Sequence, residues 1–187
     1  MKHTSLRTLG TLAALARLAA AVPAQDFNHD GYDDLVIAAP FEDVGSVTDA
    51  GAVHILYGGP SGISGTGDQL ITLQSPWYSG GMSAGDQFGT AVAYGDFNHD
   101  QYPDLAVSAG GKDVGGVSDA GMVFVFPGGS GGLGSGSAWS LATSVVVGTA
   151  ATRDHFGFSL AAADFNADLY AALAIGTPYA DIGSATD

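Results

Sequence analysis

The feature that most constrains this chain is a ten-residue acidic run that occurs three times along it. The run begins at Asp26, returns at Asp96 and occurs in an eroded form at Asp164. In the first copy, oxygen-bearing side chains stand at positions 1, 3, 5 and 9, and Gly31 stands at position 6. A hard cation such as calcium takes about 6 to 8 oxygen ligands, and this spacing supplies them from one short loop. The run therefore predicts a metal loop.

The three runs belong to a longer internal duplication. Residues 26–59 align with residues 96–129 without a gap, and 19 of these 34 positions are identical. A third copy starts 68 residues after the second. The motif Asp-x-Phe-Gly, at 86–89 and again at 154–157, precedes the second and third runs. A repeat period of this kind is typical of propellers and repeat arrays.

The apolar segments of each unit are short and are bounded by Gly, Pro, Asp and Ser, which is typical of strands. In the second unit we predict four strands, at 89–95, 105–109, 122–126 and 139–147. In the first unit, residues 35–39 form a continuous apolar run, which predicts a strand covered on both faces. The sequence thus predicts an all-β protein built from four-stranded sheets that are stacked or arranged radially.

Composition excludes several classes of protein. An apolar content of 46% and a mean hydropathy of +0.22 exclude a disordered chain. The chain has 19 Asp and Glu against 5 Lys and Arg, a formal net charge of −14. This charge argues against nucleic acid and anionic membrane as partners, because both require a basic surface. Since the chain contains no cysteine, disulfides and thiolate metal sites are excluded as well.

Residues 1–24 are typical of a secretory signal peptide. Lys2 and Arg7 precede a stretch rich in Ala and Leu, and Val-Pro-Ala at 22–24 offers small residues for cleavage. Arg17 interrupts the stretch, which is too short for a transmembrane helix of about 20 apolar residues. The alternative is an amphipathic helix that packs on the domain or stays disordered. We expect a chain that is secreted or displayed at the cell surface, with no membrane insertion after leader removal.

Three features together resemble the FG-GAP repeat, which is found in the N-terminal β-propeller of integrin α subunits. They are the Phe-Gly pair at 88–89, the acidic run at 96–104, and the triplets Ala-Ala-Pro at 38–40 and Gly-Thr-Pro at 176–178. The resemblance implies four-stranded antiparallel blades around a central axis. It also implies that each calcium loop joins the first two strands of its blade.

The resemblance also divides the chain. It implies a first repeat at 25–85 that lacks its first strand, a second at 86–153 and a truncated third at 154–187. Closed propellers have about 4 to 8 blades, so these units predict β-propeller-type blades in an incomplete ring. We expect further repeats or another chain to cover the edge strands.

Calcium ligands follow from the resemblance, position by position, with the tyrosine acting through its backbone carbonyl. The first loop would use Asp26, Asn28, Asp30, Tyr32 and Asp34, and the second would use Asp96, Asn98, Asp100, Tyr102 and Asp104. The third loop keeps Asp164, Asn166, Asp168 and Tyr170. It has Ala172 at position 9, so we expect a weak or empty site. In the second loop Gln101 replaces the glycine, at a left-handed cost of roughly 1–2 kcal/mol.

Two other interpretations compete with the calcium loop. A loop closed by Asx turns needs no metal, because Asp and Asn side chains bond their own backbone, and this alternative stays open. An EF-hand is disfavoured, because it needs an acidic twelfth position and flanking helices. That position is Ile37, Val107 or Ile175, each within an apolar run.

Aromatic and histidine side chains of the loops have structural interpretations. His29 and His99, at position 4, are expected to point outward as solvated surface. The phenylalanines at position 2 and the tyrosines at position 7 are expected to pack blades together. No Gly-x-Ser-x-Gly elbow occurs, and the spare acids Glu42, Asp43 and Asp113 recur as loop residues rather than as a cleft pair. Hence we do not expect an enzyme.

The sequence favours a secreted, calcium-binding module for cell adhesion or for recognition of an extracellular protein or glycan. One alternative is an accessory propeller of a larger secreted hydrolase whose catalytic domain is absent from this chain. The other is a purely structural, calcium-dependent spacer.

Overall fold

The computed structural model describes residues 25–74, 77–143, 146 and 148–181. The predicted leader at 1–24 lies outside these residues. Across the described ranges the chain forms nine β-strands and no helix, and hence no helix that could cross a membrane. The prediction of an all-β protein is confirmed.

The strands form three antiparallel sheets in which neighbours in the chain are neighbours in the sheet. The first sheet contains β1 (Leu35–Ala39), β2 (Ala52–Leu56) and β3 (Gln69–Ile71). The second contains β4 (Phe88–Gly95), β5 (Asp104–Ala109), β6 (Met122–Phe126) and β7 (Ser137–Trp139). The third contains β8 (Ser159–Ala163) and β9 (Ala172–Gly176). The second sheet is a complete four-stranded blade, and within the described residues the blades form an incomplete ring, as predicted.

The fourth strand of the second unit differs from its predicted position. The strand is Ser137–Trp139, whereas the sequence predicts one over 139–147, of which residues 144, 145 and 147 lie outside the described residues. At Ser140 the chain turns, because its N–H donates to Thr143 Oγ1 at 2.8 Å and its Oγ accepts the Ala142 N–H at 3.2 Å. Hydroxyl side chains that bond nearby amides offer the backbone an alternative to the sheet ladder. The apolar pattern alone does not report that competition.

β1 and β5 occupy equivalent places in their blades but are covered differently. Every residue of β5 is buried, because the strand packs against the first sheet on one face and the third on the other. In β1, Val36 and Ala38 pack against the core, while Leu35 and Ile37 are 42% and 45% exposed. The expectation that β1 is covered on both faces is therefore wrong for the described residues. Leu35 and Ile37 thus leave one apolar face of β1 exposed.

An aromatic cluster fills the junction between the first and second sheets. The ring of Trp77 lies 4.9 Å from that of Phe126 and 5.6 Å from that of Phe124, in edge-to-face arrangements. Such pairs contribute about 0.5–1.5 kcal/mol beyond the burial of their area. Phe88 and Phe27 are completely buried in the same cluster. The two blades therefore share one core.

Backbone hydrogen bonds join the Asp-x-Phe-Gly motif of one repeat to the Asp-Ala-Gly segment of the preceding repeat. The Phe88 N–H donates to the Ala50 carbonyl at 3.0 Å, and the Phe156 N–H donates to the Ala120 carbonyl at 2.9 Å. Gly51 has φ +81°, and a Cβ there would overlap the backbone of Phe88. Both junctions are built in the same way, which explains why the two segments recur together.

Candidate metal centre

Each of the three acidic runs forms a loop that leads into a strand, and no helix flanks any of them in the described residues. The second run joins β4 to β5, the third joins β8 to β9, and the first immediately precedes β1. At position 6, Gly31, Gln101 and Leu169 have φ of +91°, +75° and +74°. The expected left-handed turn is therefore present in every copy, including the two that lack glycine.

Backbone amides hold the first carboxylate of the first loop. Asp26 accepts hydrogen bonds from the N–H groups of Asp30 at 3.0 Å and Gly31 at 2.8 Å. The Asn28 Oδ1 accepts the Asp30 N–H at 3.1 Å, and the Asp30 Oδ1 accepts the Tyr32 N–H at 3.0 Å. The last two bonds are Asx turns. The loop thus folds around the oxygens of its own side chains.

The carboxylate at position 9 ties the loop to the rest of its blade. Asp34 accepts the Phe27 N–H at 2.7 Å and the Gly58 N–H, just beyond β2, at 2.8 Å. Asp104 does the same with the N–H groups of Phe97 and Gly128, both at 2.9 Å. The sequence analysis gave these glycines no role at the site. The signal that could have found them is the Gly-Gly pair at the end of both aligned segments.

The third loop keeps the turn but has no carboxylate at position 9. Asp164 accepts the N–H groups of Asp168 at 3.1 Å and Leu169 at 2.9 Å, as its counterparts do in the other loops. Ala172 stands where Asp34 and Asp104 stand. Only two carboxylates therefore remain in this loop.

Burial and nearby negative charge act together on the position 9 carboxylates of the first two loops. Burial raises the pKa of Asp34 above its usual value, the amides of Gly58 and Phe27 lower it, and the nearby Asp26 and Asp30 carboxylates raise it further. Asp104 follows the same pattern: burial raises its pKa, and so do the other two carboxylates of its loop. In each loop the other two carboxylates thus disfavour ionisation of the position 9 carboxylate.

The exposed Asp168 of the third loop behaves in the opposite way. The Tyr170 amide and the Asn166 side chain hold the pKa of Asp168 below its usual value, and the nearby His99 acts in the same direction. Without a buried partner at position 9, the carboxylates of this loop lack the crowding of the other two. A cation would relieve less repulsion here.

The donor set of the first loop fits calcium chemically, although its present arrangement is that of a loop closed by its own hydrogen bonds. Among the described residues, no group of three or more His, Cys, Asp or Glu side chains is arranged to hold a metal ion. Each oxygen of Asp26, Asp30 and Asp34 accepts one hydrogen bond within the repeat. Because a carboxylate oxygen has two lone pairs, each one retains an acceptor site for a cation. The Asx-turn and calcium interpretations share this geometry.

The histidines at position 4 are exposed, as expected, but they also contact the next loop. The His29 ring lies 5.3 Å from the Tyr102 ring in an edge-to-face arrangement, and the His99 ring lies 4.2 Å from the Tyr170 ring. These contacts link one loop to its neighbour. Local spacing in the sequence does not reveal them, because they join residues of different repeats.

The spare acidic residues act in turns. Asp43 Oδ1 accepts the Asp49 N–H at 2.9 Å, and Asp113 Oδ1 accepts the Asp119 N–H at 2.9 Å. Each bond closes the loop between the second and third strands of its blade. These carboxylates therefore have a structural function.

A cleft of about 570 Å³ separates the second and third sheets. Its walls are mostly apolar and include Val123, Val125, Trp139, Leu173 and Ile175. Asn98 and Asp104 of the second loop also line the cleft, so the predicted metal site borders an apolar surface.

The chain matches the FG-GAP repeat twice, at residues 19–56 and 88–126. Phosphatidylinositol-glycan-specific phospholipase D of Bos taurus is 34% identical to it over 167 residues, which cover 89% of this chain and 19% of that protein. Integrin alpha-PS5 of Drosophila melanogaster is 34% identical over 114 residues, or 60% of this chain, and integrin alpha-5 of Xenopus laevis is 35% identical over 120 residues, or 62%. The chain spans 10% of the length of each integrin.

These matches agree with the blade architecture. The second match, 88–126, begins at the first residue of β4 and ends at the last residue of β6. Residues 19–56 and 88–126 are FG-GAP repeats, and the chain belongs to the family of proteins that carry them.

Proposed function

We propose that this chain is a secreted, calcium-binding FG-GAP propeller module that recognises an extracellular protein or glycan, as in cell adhesion, and has no catalysis of its own. Calcium would bind at the first and second loops, and the third would bind weakly or not at all. The similarity to integrin alpha chains supports the adhesion role.

The observation that carries the metal proposal is the crowding of three carboxylates in each of two loops. Asp34 and Asp104 are almost completely buried, and their pKa values are raised by burial and by the other carboxylates of their loops. A divalent cation would offset this repulsion, and its binding free energy would add to the stability of the folded chain. The net charge of −14 also favours cations as partners.

A second candidate function is an accessory propeller of a larger secreted hydrolase. The match to a protein named as a phospholipase D favours it, because that match covers 89% of this chain but 19% of the enzyme. The gene sequence beyond residue 187 distinguishes the two candidates. Further repeats and adhesion domains would support the first, and a catalytic domain would support the second.

Calcium titration of the full chain by calorimetry tests the metal proposal. We expect two dominant sites in the unmodified chain and one in either Asp30→Ala or Asp100→Ala. Asp168→Ala, in the third loop, is the matched control and should leave both sites intact. A melting temperature that does not respond to a chelator, together with no heat of binding, would contradict calcium binding.

The recognition role is tested separately with a protein and glycan array. A ligand that binds in calcium and is released by chelator would support a recognition module. If the folded, calcium-loaded chain binds nothing on the array, the structural spacer becomes the better interpretation.

A further inference from the structure

The first and second loops are tied to two consecutive backbone amides. The Gly128 N–H donates to Oδ1 of Asp104, the position 9 carboxylate of the second loop, at 2.9 Å. The Gly129 N–H donates to the carbonyl oxygen of Phe27, at position 2 of the first loop, at 3.0 Å. One peptide unit therefore separates the donor for one loop from the donor for the other.

The backbone of Gly128 is packed closely against both loops. A Cβ at Gly128 would overlap the Pro103 carbonyl, would stand 2.9 Å from Cβ of Tyr102 and would stand 3.1 Å from the carbonyl oxygen of Phe27. Close-packed atoms transmit a displacement instead of absorbing it. Gly128 therefore packs against the first and the second loop at once.

A ring contact bridges the same two loops on the exposed side. His29 stands between Asn28 and Asp30, two predicted ligands of the first loop. Its ring lies 5.3 Å from the ring of Tyr102, whose carbonyl is a predicted ligand of the second loop and whose N–H donates to Asp100 Oδ1 at 2.9 Å. A change in the second loop that moves the Tyr102 ring therefore acts on His29, which lies between two predicted ligands of the first loop.

From these contacts we propose that the first and second loops bind calcium cooperatively, with His29 as the positioning residue that couples them through Tyr102. The inference rests on the proposed calcium binding and describes how that binding is regulated. Loading the second loop fixes the Tyr102 backbone, and the ring of Tyr102 then restricts the segment that carries Asn28 and Asp30. By linkage, loading the first loop favours the second by the same factor.

We expect a coupling of about fivefold in affinity, at the lower end of the range for coupled sites. The test is calorimetric calcium titration of the full chain beside Asp30→Ala, which disables the first loop, and Asp100→Ala, which disables the second. Cooperative loops give an unmodified titration that is steeper than the sum of the two single-site titrations.

His29→Ala tests the route. This substitution has a precedent in the chain, because Ala167 occupies the same position of the third loop with φ +60°, close to the +59° of His29. The matched control is His99→Ala, which removes a ring at the same position of the second loop. The His99 ring contacts Tyr170 of the third loop and not Tyr102. We expect His29→Ala to reduce the steepness, and His99→Ala to leave it unchanged.

A second measurement does not depend on the shape of a titration. In the Asp30→Ala chain, calcium can load the second loop but not the first, so any effect at His29 comes from its neighbour. We expect calcium to shift the NMR resonances of the His29 ring in this chain. In the Asp30→Ala/Tyr102→Leu chain we expect no such shift, because the ring that transmits it is gone.

The outcomes separate this inference from the calcium proposal. If each single-site variant binds calcium but the unmodified chain equals their sum, cooperativity is wrong while calcium binding stands. If the steepness is undiminished in His29→Ala, the route through His29 is wrong. If no chain binds calcium, the proposed function fails and this inference fails with it.

Discussion

Nζ of Lys112 lies 3.0 Å from Oδ2 of Asp86, and both side chains are almost completely buried. Lys112 also donates to the Gly81 carbonyl at 3.0 Å, and Asp86 accepts the Ser83 N–H at 2.7 Å. The pair joins the loop after β5 to the segment that precedes β4. Breaking one half of such a pair leaves a buried charge without a partner.

We expect Lys112→Met to lower the free energy of unfolding by about 3 kcal/mol, measured by urea denaturation at neutral pH. The double variant Asp86→Asn/Lys112→Met removes both charges and should recover most of that loss. Burial raises the pKa of Asp86, so the cost of Lys112→Met should shrink as the pH falls and Asp86 takes up a proton. An unchanged stability of Lys112→Met would show that the ion pair does not hold these segments together.

Stability without calcium should depend on pH through Asp34 and Asp104. The pKa of each is raised above its usual value of 3.8, so the folded chain binds these protons more tightly than the unfolded chain does. Stability therefore falls as the pH rises from 3.8 through the raised pKa. In chelator, we expect the melting temperature to rise when the pH is lowered through the raised pKa values towards 3.8.

Saturating calcium should reverse this trend, because the metal binds the ionised carboxylates. Asp104→Asn is the matched variant, and it should weaken the pH dependence in chelator by removing one of the carboxylates with a raised pKa. Melting curves across the same pH range, with and without calcium, make the comparison. A chelated chain that loses stability over this range on acidification would contradict the assignment.

The junction between repeats predicts a strong effect of one methyl group. Gly51→Ala places a Cβ against the backbone of Phe88 and also requires a side chain at φ +81°. Gly62→Ala is the control, because Gly62 has φ +94° with nothing within 4 Å of the new Cβ. We expect Gly62→Ala to cost about 1–2 kcal/mol from the left-handed conformation alone.

The overlap at Gly51 should add a further 1–3 kcal/mol or so to that cost. Chemical denaturation of both variants measures the difference. Equal losses for Gly51→Ala and Gly62→Ala would mean that the junction can open without a penalty.

The second loop contains a strained position that can be relieved. Gln101 has φ +75° where the first loop has Gly31. We expect Gln101→Gly to raise the free energy of unfolding by about 1 kcal/mol, less a smaller loss from the freer unfolded chain. The calcium affinity of the second loop should rise as well, because the turn no longer forces a non-glycine residue into the left-handed conformation. A variant that is less stable than the unmodified chain would show that the Gln101 side chain makes a compensating contact.

The sequence predicts the elements whose signals are local. The strands at 105–109 and 122–126, and the left-handed turn at position 6, all follow from residue types within a few positions. The β7 strand did not, because the Ser140 and Thr143 hydroxyls compete for its backbone. The apolar pattern of the sequence does not reveal that competition.

Contacts between different repeats cannot be predicted from this sequence alone. The phenylalanines at position 2 are alike in sequence, yet Phe27 is completely buried and Phe165 is 65% exposed. The difference lies in what covers each loop: the second blade packs over Phe27. The contact between His29 and Tyr102 and the anchoring of Asp104 by Gly128 belong to the same class. Alignment shows that such residues recur, but not what they touch.

The joint between repeats has a consequence for how such proteins diversify. Its hydrogen bonds run from the Gln87 and Phe88 amides to the Asp49 and Ala50 carbonyls, and so use no side chain. A graft that keeps Gly51 and Phe88 could replace the surface residues between them without disturbing these backbone hydrogen bonds. Whole blades could then be exchanged or multiplied within a gene while each new copy docks in the same register.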